Sequence, residues 1–148
     1  MEFVPKWIAW EITRRCNFGC VHCRSSSELE VIGHPDFSFD EAKRILNDLH
    51  SYANPVVVLS GGEPLLREDV FDIATYGTAL GLRMCLATNG SLVTDNICQQ
   101  MKASGIKMVS LSLDGASAPV HDDFRQQEGA FTGVTQAIKH LKANGLPF

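Results

Sequence analysis

The sequence predicts an α/β protein in which four βα units follow one another along a parallel sheet. Three observations carry that expectation. Short β-branched apolar runs alternate with stretches whose apolar residues recur at helical spacing, the pattern of crossover units and parallel strands. Gly81, Gly105 and Gly145 stand just past the helical stretches, where a left-handed stop is favoured. The run Val56 to Leu59 (VVVL) is apolar without alternation, as expected of a strand covered on both faces. Such crossovers are right-handed, and the sheet is either open or curled into part of a barrel.

In chain order, Trp7 to Thr13 (WIAWEIT) reads as the first strand. Trp7 and Trp10 are three apart in it, so they point to opposite faces. A cysteine-bearing loop follows. From Asp40, Ala42, Ile45, Leu46 and Leu49 recur at helical spacing, with Ser38 or Asp40 available as an N-cap. After the strand at Val56, Glu68 to Leu80 reads as a helix burying Val70, Ile73 and Ala74. Arg83 to Ala87 (RMCLA) is a third strand and Thr94 to Ala103 a third helix. Lys107 to Leu113 (KMVSLSL) is a fourth strand, and Phe131 to Ala143 a final helix built on Val134, Ile138 and Leu141. A fifth strand is due where the sequence reaches Asn144 to Phe148. Residues 1–148 are therefore expected to be one core domain, truncated before that strand and incomplete as an enzyme, because a bare sheet edge would leave its pocket unroofed.

Composition narrows the function classes. At 148 residues with 45% hydrophobic and 20% charged side chains, the chain can build a core and is not a disordered segment. Thirteen Lys and Arg against seventeen Asp and Glu, with a net charge of -4 and no basic block, argue against a nucleic-acid partner. No apolar run reaches the ~20 residues that span a bilayer, and the N-terminus lacks a signal-peptide pattern. The expected location is the cytoplasm, without a membrane partner. Five cysteines is an odd number, and Cys16, Cys20 and Cys23 fall within eight residues. A secreted disulfide framework favours an even, dispersed set. Clustered thiols in a reducing compartment point instead to a metal or cluster site.

In parallel α/β proteins, function sits at the C-terminal ends of strands. Four unusual loops fall there: Cys16 to Cys23, Ser60 to Pro64 (SGGEP), Thr88 to Gly90 (TNG) and Ser112 to Gly115 (SLDG). Three thiolates spaced C-x3-C-x2-C can cap three irons of a 4Fe-4S cube and leave the fourth iron open, whereas electron-carrier ferredoxins use four cysteines. Cys85, within a strand, and Cys98, within a helix, read as small core residues. The alternative is zinc on Cys16, Cys20, His22 and Cys23, for which adjacent His22 and Cys23 are awkward. Gly61 and Gly62 either let a ligand approach the backbone or simply make a tight turn. Glu63 can accept bonds from an ammonium, and Pro64 stiffens the exit. TNG and SLDG also suit turns before helices. His34, His50 and His140 have no partner at metal-ligand spacing. Arg14 and Arg15 read first as a solvated pair; flanking the cysteine loop, they alternatively favour a reduced, more negative cluster.

The combination of CNFGCVHC, SGGEP, TNG and SLDG resembles the radical S-adenosyl-L-methionine (SAM) enzymes over nearly the whole chain. The resemblance implies the N-terminal part of a (β/α)6 TIM-like barrel, with a 4Fe-4S cluster on Cys16, Cys20 and Cys23. It implies that the open iron chelates SAM and that one-electron reduction yields a 5′-deoxyadenosyl radical, which abstracts a substrate hydrogen. No side chain is then the catalytic group, since the cofactor performs the chemistry. It places Gly61, Gly62 and Glu63 at the SAM amino group, His22 near the adenine and Asn89 near the ribose. Ser112 also contacts SAM, and Arg125 pairs with the methionyl carboxylate. It further implies an electron donor such as a ferredoxin or flavodoxin.

SLDG followed by HDDFR and Gly129-Ala130-Phe131 is similar to the branch with a cysteine-rich C-terminal extension. Trp7 to Cys16 and Cys23-Arg24-Ser25 look most like the haem and haem d1 biosynthesis enzymes of that branch. The implied substrate is a sirohaem-derived tetrapyrrole. A peptide- or protein-modifying maturase is the alternative, and a non-catalytic iron–sulfur or zinc-binding module the alternative of another class.

Overall fold

The computed structural model describes residues 4–29 and 35–148, so His34 lies outside the described residues. Four strands and five helices are present among them: β1 (Trp7–Thr13), α1 (Phe39–Tyr52), β2 (Val56–Gly61), α2 (Val70–Ala79), β3 (Arg83–Thr88), α3 (Asp95–Ala103), β4 (Val109–Leu111), α4 (Ala118–Arg125) and α5 (Ala130–Ala143). A short 3-10 turn, Pro64–Leu66, follows β2. The strands lie in the order β1-β2-β3-β4, and every pair is parallel.

Sequential parallel order with the helical core on one side is the geometry of a curling sheet rather than a doubly wound one. Ile12, Val57, Leu59, Met84, Leu86 and Val109 join the same buried cluster as Leu46 of α1, Ile73 of α2, Met101 of α3 and Leu141 of α5. Each such side chain contributes about 1.5–3 kcal/mol when fully buried. The opposite face shows Ala9, Val58, Cys85 and Ala87, small residues that leave room beneath the strand ends. As expected, Trp7 is 60% exposed while Trp10 packs against the core and lies 6.2 Å from the Phe37 ring.

Local signals set the element ends. Ser38 caps α1: its Oγ accepts from Glu41 N while the Glu41 carboxylate accepts from Ser38 N, a reciprocal capping box. Asp40 instead lies inside the first turn and pairs with Lys43 at 2.6 Å. Helix α2 starts at Val70, later than Glu68, because Glu68 and Asp69 form a turn after the extended Arg67. The Arg67 guanidinium ties Ile12 O, Phe37 O and Asp69 together. Strand β4 is shorter than Lys107 to Leu113, since only Val109–Leu111 pairs with Leu86–Thr88. Pro147 O accepts from Val109 N at 2.9 Å, so the segment after α5 returns to the outer side of β4. No helix among the described residues is long and apolar enough to cross a membrane.

Helix α4 is the element the sequence pattern did not reveal. It has eight residues, begins at Ala118-Pro119 after Ser117 and stops at Gln126 in a left-handed conformation. Two turns offer too little periodicity to stand out from the turn-rich SLDGASAP stretch.

Candidate active site

The ends of all four strands open onto one cleft of about 360 Å³. Cys16, Cys20, His22, Cys23, Gly61, Gly62, Asn89, Ser112 and Arg125 all line it. The loop after β1 is held by backbone pairing: Cys16 N donates to Glu28 O at 2.9 Å, and Glu28 N to Arg14 O at 3.3 Å. Cys16 and Phe18 then pack on Ala130 at the start of α5, which fixes the loop's inner end.

The three thiols sit in different surroundings. Burial pushes the Cys16 thiol above its ordinary range. Cys23 is exposed, and the N–H of Ser27, 3.4 Å from its sulfur, holds its thiol below that range. Cys85 and Cys98 are buried in β3 and α3, away from the cleft lining. Among the described residues, no three His, Cys, Asp or Glu side chains are grouped to hold a single metal ion. A mononuclear zinc site needs its ligands about one point, whereas a cubane takes each cysteine on a separate iron.

The glycine pair answers first to the protein's own backbone. Gly62 N donates to Thr13 O at 2.9 Å and Glu63 N to Arg15 O at 2.8 Å, prolonging the pairing of β1 with β2. A Cβ on Gly61, whose φ is 136°, would lie 2.2 Å from Thr13 O. A Cβ on Gly62 would lie 2.2 Å from Arg15 O. Both glycines thus serve a close backbone approach and also line the cleft.

Glu63 departs from the sequence expectation of an ammonium acceptor in the cleft. It is fully buried and absent from the lining. Its Oε1 accepts from Thr88 Oγ1 at 2.8 Å and Leu65 N at 3.1 Å, and its Oε2 accepts from Asn89 N at 2.8 Å. Most of a carboxylate's ~four acceptor positions are therefore filled from within the fold. Burial pushes this carboxyl upward, opposed by those three donors.

Asn89 reaches the cleft as part of a small network. Its Oδ1 accepts from Ser91 N at 2.9 Å, and its Nδ2 donates to Asn17 Oδ1 at 2.9 Å. Asn17 in turn donates to Ser91 Oγ at 2.9 Å. TNG therefore holds the cysteine loop as well as turning the chain.

Helix α4 closes the remaining side. Its Phe124 stacks on His22, with ring centroids 4.2 Å apart, and Phe124 O accepts from Val21 N at 3.2 Å. Arg125 is only 8% exposed. It donates from Nη1 to Cys20 Sγ at 3.5 Å and pairs through Nη2 with Asp114 of SLDG. His121 is fully buried, and its Nδ1 accepts from Asp114 N at 3.1 Å.

Residues 10–148 match the Radical SAM superfamily. The chain belongs to that superfamily. Among its relatives, the AdoMet-dependent heme synthase of Methanosarcina barkeri is 46% identical over 148 residues, which are all of this chain and 42% of that protein. The mycofactocin maturase MftC of Mycobacterium tuberculosis is 35% identical over 141 residues, 95% of this chain and 35% of that protein. Among solved structures, Streptococcus suis SuiB bound to precursor peptide SuiA shares the fold with a TM-score of 0.81 at 17% identity, over 97% of this chain and 31% of that one. The chain thus spans about two-fifths or less of the length of these proteins. Its fold is the N-terminal portion of the TIM-like radical SAM fold.

Membership of the radical SAM superfamily implies an iron–sulfur cluster and SAM, and the donor set fits both. Three thiols, two glycine backbones and a half-open cleft converge where the strands end. Sequence reasoning missed Asp114's ion pair, His121, Asn17 and Thr88. Ser117 followed by Pro119, an N-cap with proline in the first turn, is the signal that could have found α4. Arg14 and Arg15 do not line the cleft. Arg15 donates to Leu66 O at 2.9 Å and faces Asp36. His50 sits near Asn54, and His140 pairs with Asp95 at 2.9 Å.

Proposed function

We propose that this chain forms the cluster- and SAM-binding part of a radical SAM enzyme that modifies side chains of a sirohaem-derived tetrapyrrole. The observation that carries the radical SAM reading is the convergence of Cys16, Cys20 and Cys23 with Gly61, Gly62 and Ser112 on one cleft. Cys16, Cys20 and Cys23 would ligate a 4Fe-4S cluster and leave one iron for SAM. Bound together, these groups supply one-electron chemistry that removes a hydrogen atom from the substrate.

The chain's own residues bind, orient and exclude water. Gly61 and Gly62 offer backbone groups to the amino end of SAM, and Ser112 a hydroxyl. His22, backed by Phe124, would stack on the adenine. Asn89, on the cleft lining, would contact the ribose. Glu63 works behind these groups, keeping the loops after β2 and β3 in register. The protein would act in the cytoplasm with a reduced ferredoxin or flavodoxin as electron donor.

The tetrapyrrole reading draws on the 46% identity to a heme synthase across all of this chain. A peptide-modifying maturase is the second reading, favoured by the 35% identity to MftC. Anaerobic reconstitution with iron and sulfide tests the first level. The expected result is about four irons per chain and an EPR signal that changes on adding SAM. Bound zinc, or a cluster indifferent to SAM, would overturn the enzyme reading. Turnover of sirohaem derivatives against leader-bearing peptides by the full chain separates the two substrate classes.

A further inference from the structure

The geometry points to Arg125 as the residue that tunes the cluster's reduction potential, through an N–H···S hydrogen bond to Cys20. This rests on the proposed ligation by Cys16, Cys20 and Cys23. Sequence resemblance assigns Arg125 to the methionyl carboxylate of SAM, and of its five N–H donors two already meet protein partners, which leaves that role open beside the one inferred here. Nη1 donates to Cys20 Sγ at 3.5 Å, and Nη2 is paired with Asp114. Arg125 as a residue is 8% exposed, and its Nε is buried with no partner among the described residues.

The fork is held rather than free. Asp114 is a positioning residue: its carboxylate takes one arm of Arg125, while its own N–H is anchored on Nδ1 of fully buried His121. A fork fixed at one end aims the other at the sulfur. A hydrogen bond or positive charge at a ligating sulfur withdraws electron density, and such bonds set cluster potentials. Reduction adds an electron and so a negative charge, which a neighbouring guanidinium stabilises, most of all where water is excluded. Arg125 therefore raises the potential and makes the cluster easier for a donor to reduce. Neither Arg14 nor Arg15 is placed to do this.

The test is a dithionite redox titration of the reconstituted full chain, followed by EPR without SAM, for wild type, Arg125→Met and Arg125→Lys. The midpoint of Arg125→Met is expected to be more negative than wild type. Arg125→Lys, which keeps the charge but not the fork, should fall between them. A loaded variant with the wild-type midpoint overturns the tuning role and leaves the cluster reading standing. If Arg125→Met does not fold, the Lys variant decides by the same criterion. A wild-type chain that binds no cluster overturns both readings.

Discussion

Thr88 Oγ1 donates a 2.8 Å hydrogen bond to Glu63 Oε1 inside the protein, joining the loop after β2 to the end of β3. Asn89 N completes the tie at Oε2. Because burial raises the Glu63 carboxyl, the folded state holds its proton to higher pH than the unfolded state. Its contribution is therefore fully present below the unfolded value of about 4.3 and is lost as pH rises through the folded value. Glu63→Gln cannot titrate, and its amide would face the Asn89 N–H. We expect the variant to be less stable than wild type, with the gap narrowing as pH rises. Urea melts across the acidic to neutral range measure this, and a gap that widens with pH would contradict it.

Gly62→Ala separates contact from conformation. The new Cβ would meet Arg15 O at 2.2 Å and Arg15 C at 2.6 Å, and backbone cannot step aside. A loss of about 3 kcal/mol is expected from such overpacking. At Gly81 the φ of +89° is strained for alanine but nothing lies within 4 Å, so Gly81→Ala should lose only about 1–2 kcal/mol. Equal losses in denaturant melts would mean that β1 and the glycine turn are not this close.

The three site cysteines should differ in reactivity before any cluster is loaded. Alkylation follows thiolate fraction and access. Cys23 is exposed with a lowered thiol range, whereas Cys16 is 8% exposed with a raised one. Brief iodoacetamide treatment of the apo chain, mapped by mass spectrometry, should mark Cys23 first and Cys16 last of the three. Labelling of Cys23 should also persist to lower pH than that of a free cysteine. Early modification of Cys16 would contradict its packing against Phe18 and Ala130.

Asp122 of α4 caps the next helix. Its Oδ2 accepts from Gly129 N at 2.8 Å and its Oδ1 from Phe131 N at 2.7 Å, where the open N–H groups and dipole of α5 favour an anion. Asp122→Ala should destabilise the chain by about 1–2 kcal/mol, and Asp122→Asn should recover part of that by keeping one oxygen acceptor. Denaturant melts of both variants decide. No loss in Asp122→Ala would mean that α5 starts without this cap.

Much of the fold was legible because its causes are local. VVVL, the helical spacing after Asp40 and the helical stretch from Thr94 act over a few residues, and the structure places elements at each of them. Helix α4 escaped because two turns behind a glycine- and serine-rich stretch leave little period to read. The site was legible as a set of loops, since parallel strands bring their C-terminal ends to one rim. The direction of each side chain was not. Glu63 shared a motif with cleft-lining glycines yet turns inward.

By itself, the sequence determined the order of the βα units, the cysteine spacing and the superfamily, because neighbouring residues in a chain keep their spacing whatever the rest does. Only the tertiary structure decided which arginine stands beside a site thiol. Arg14 and Arg15 flank the cysteine loop in sequence, but Arg125, 105 residues beyond Cys20, takes the position. Covalent neighbours on a turning loop can point away from each other. Contact across that distance depends on how α4 docks, which Asp114, His121 and the His22–Phe124 stack settle together.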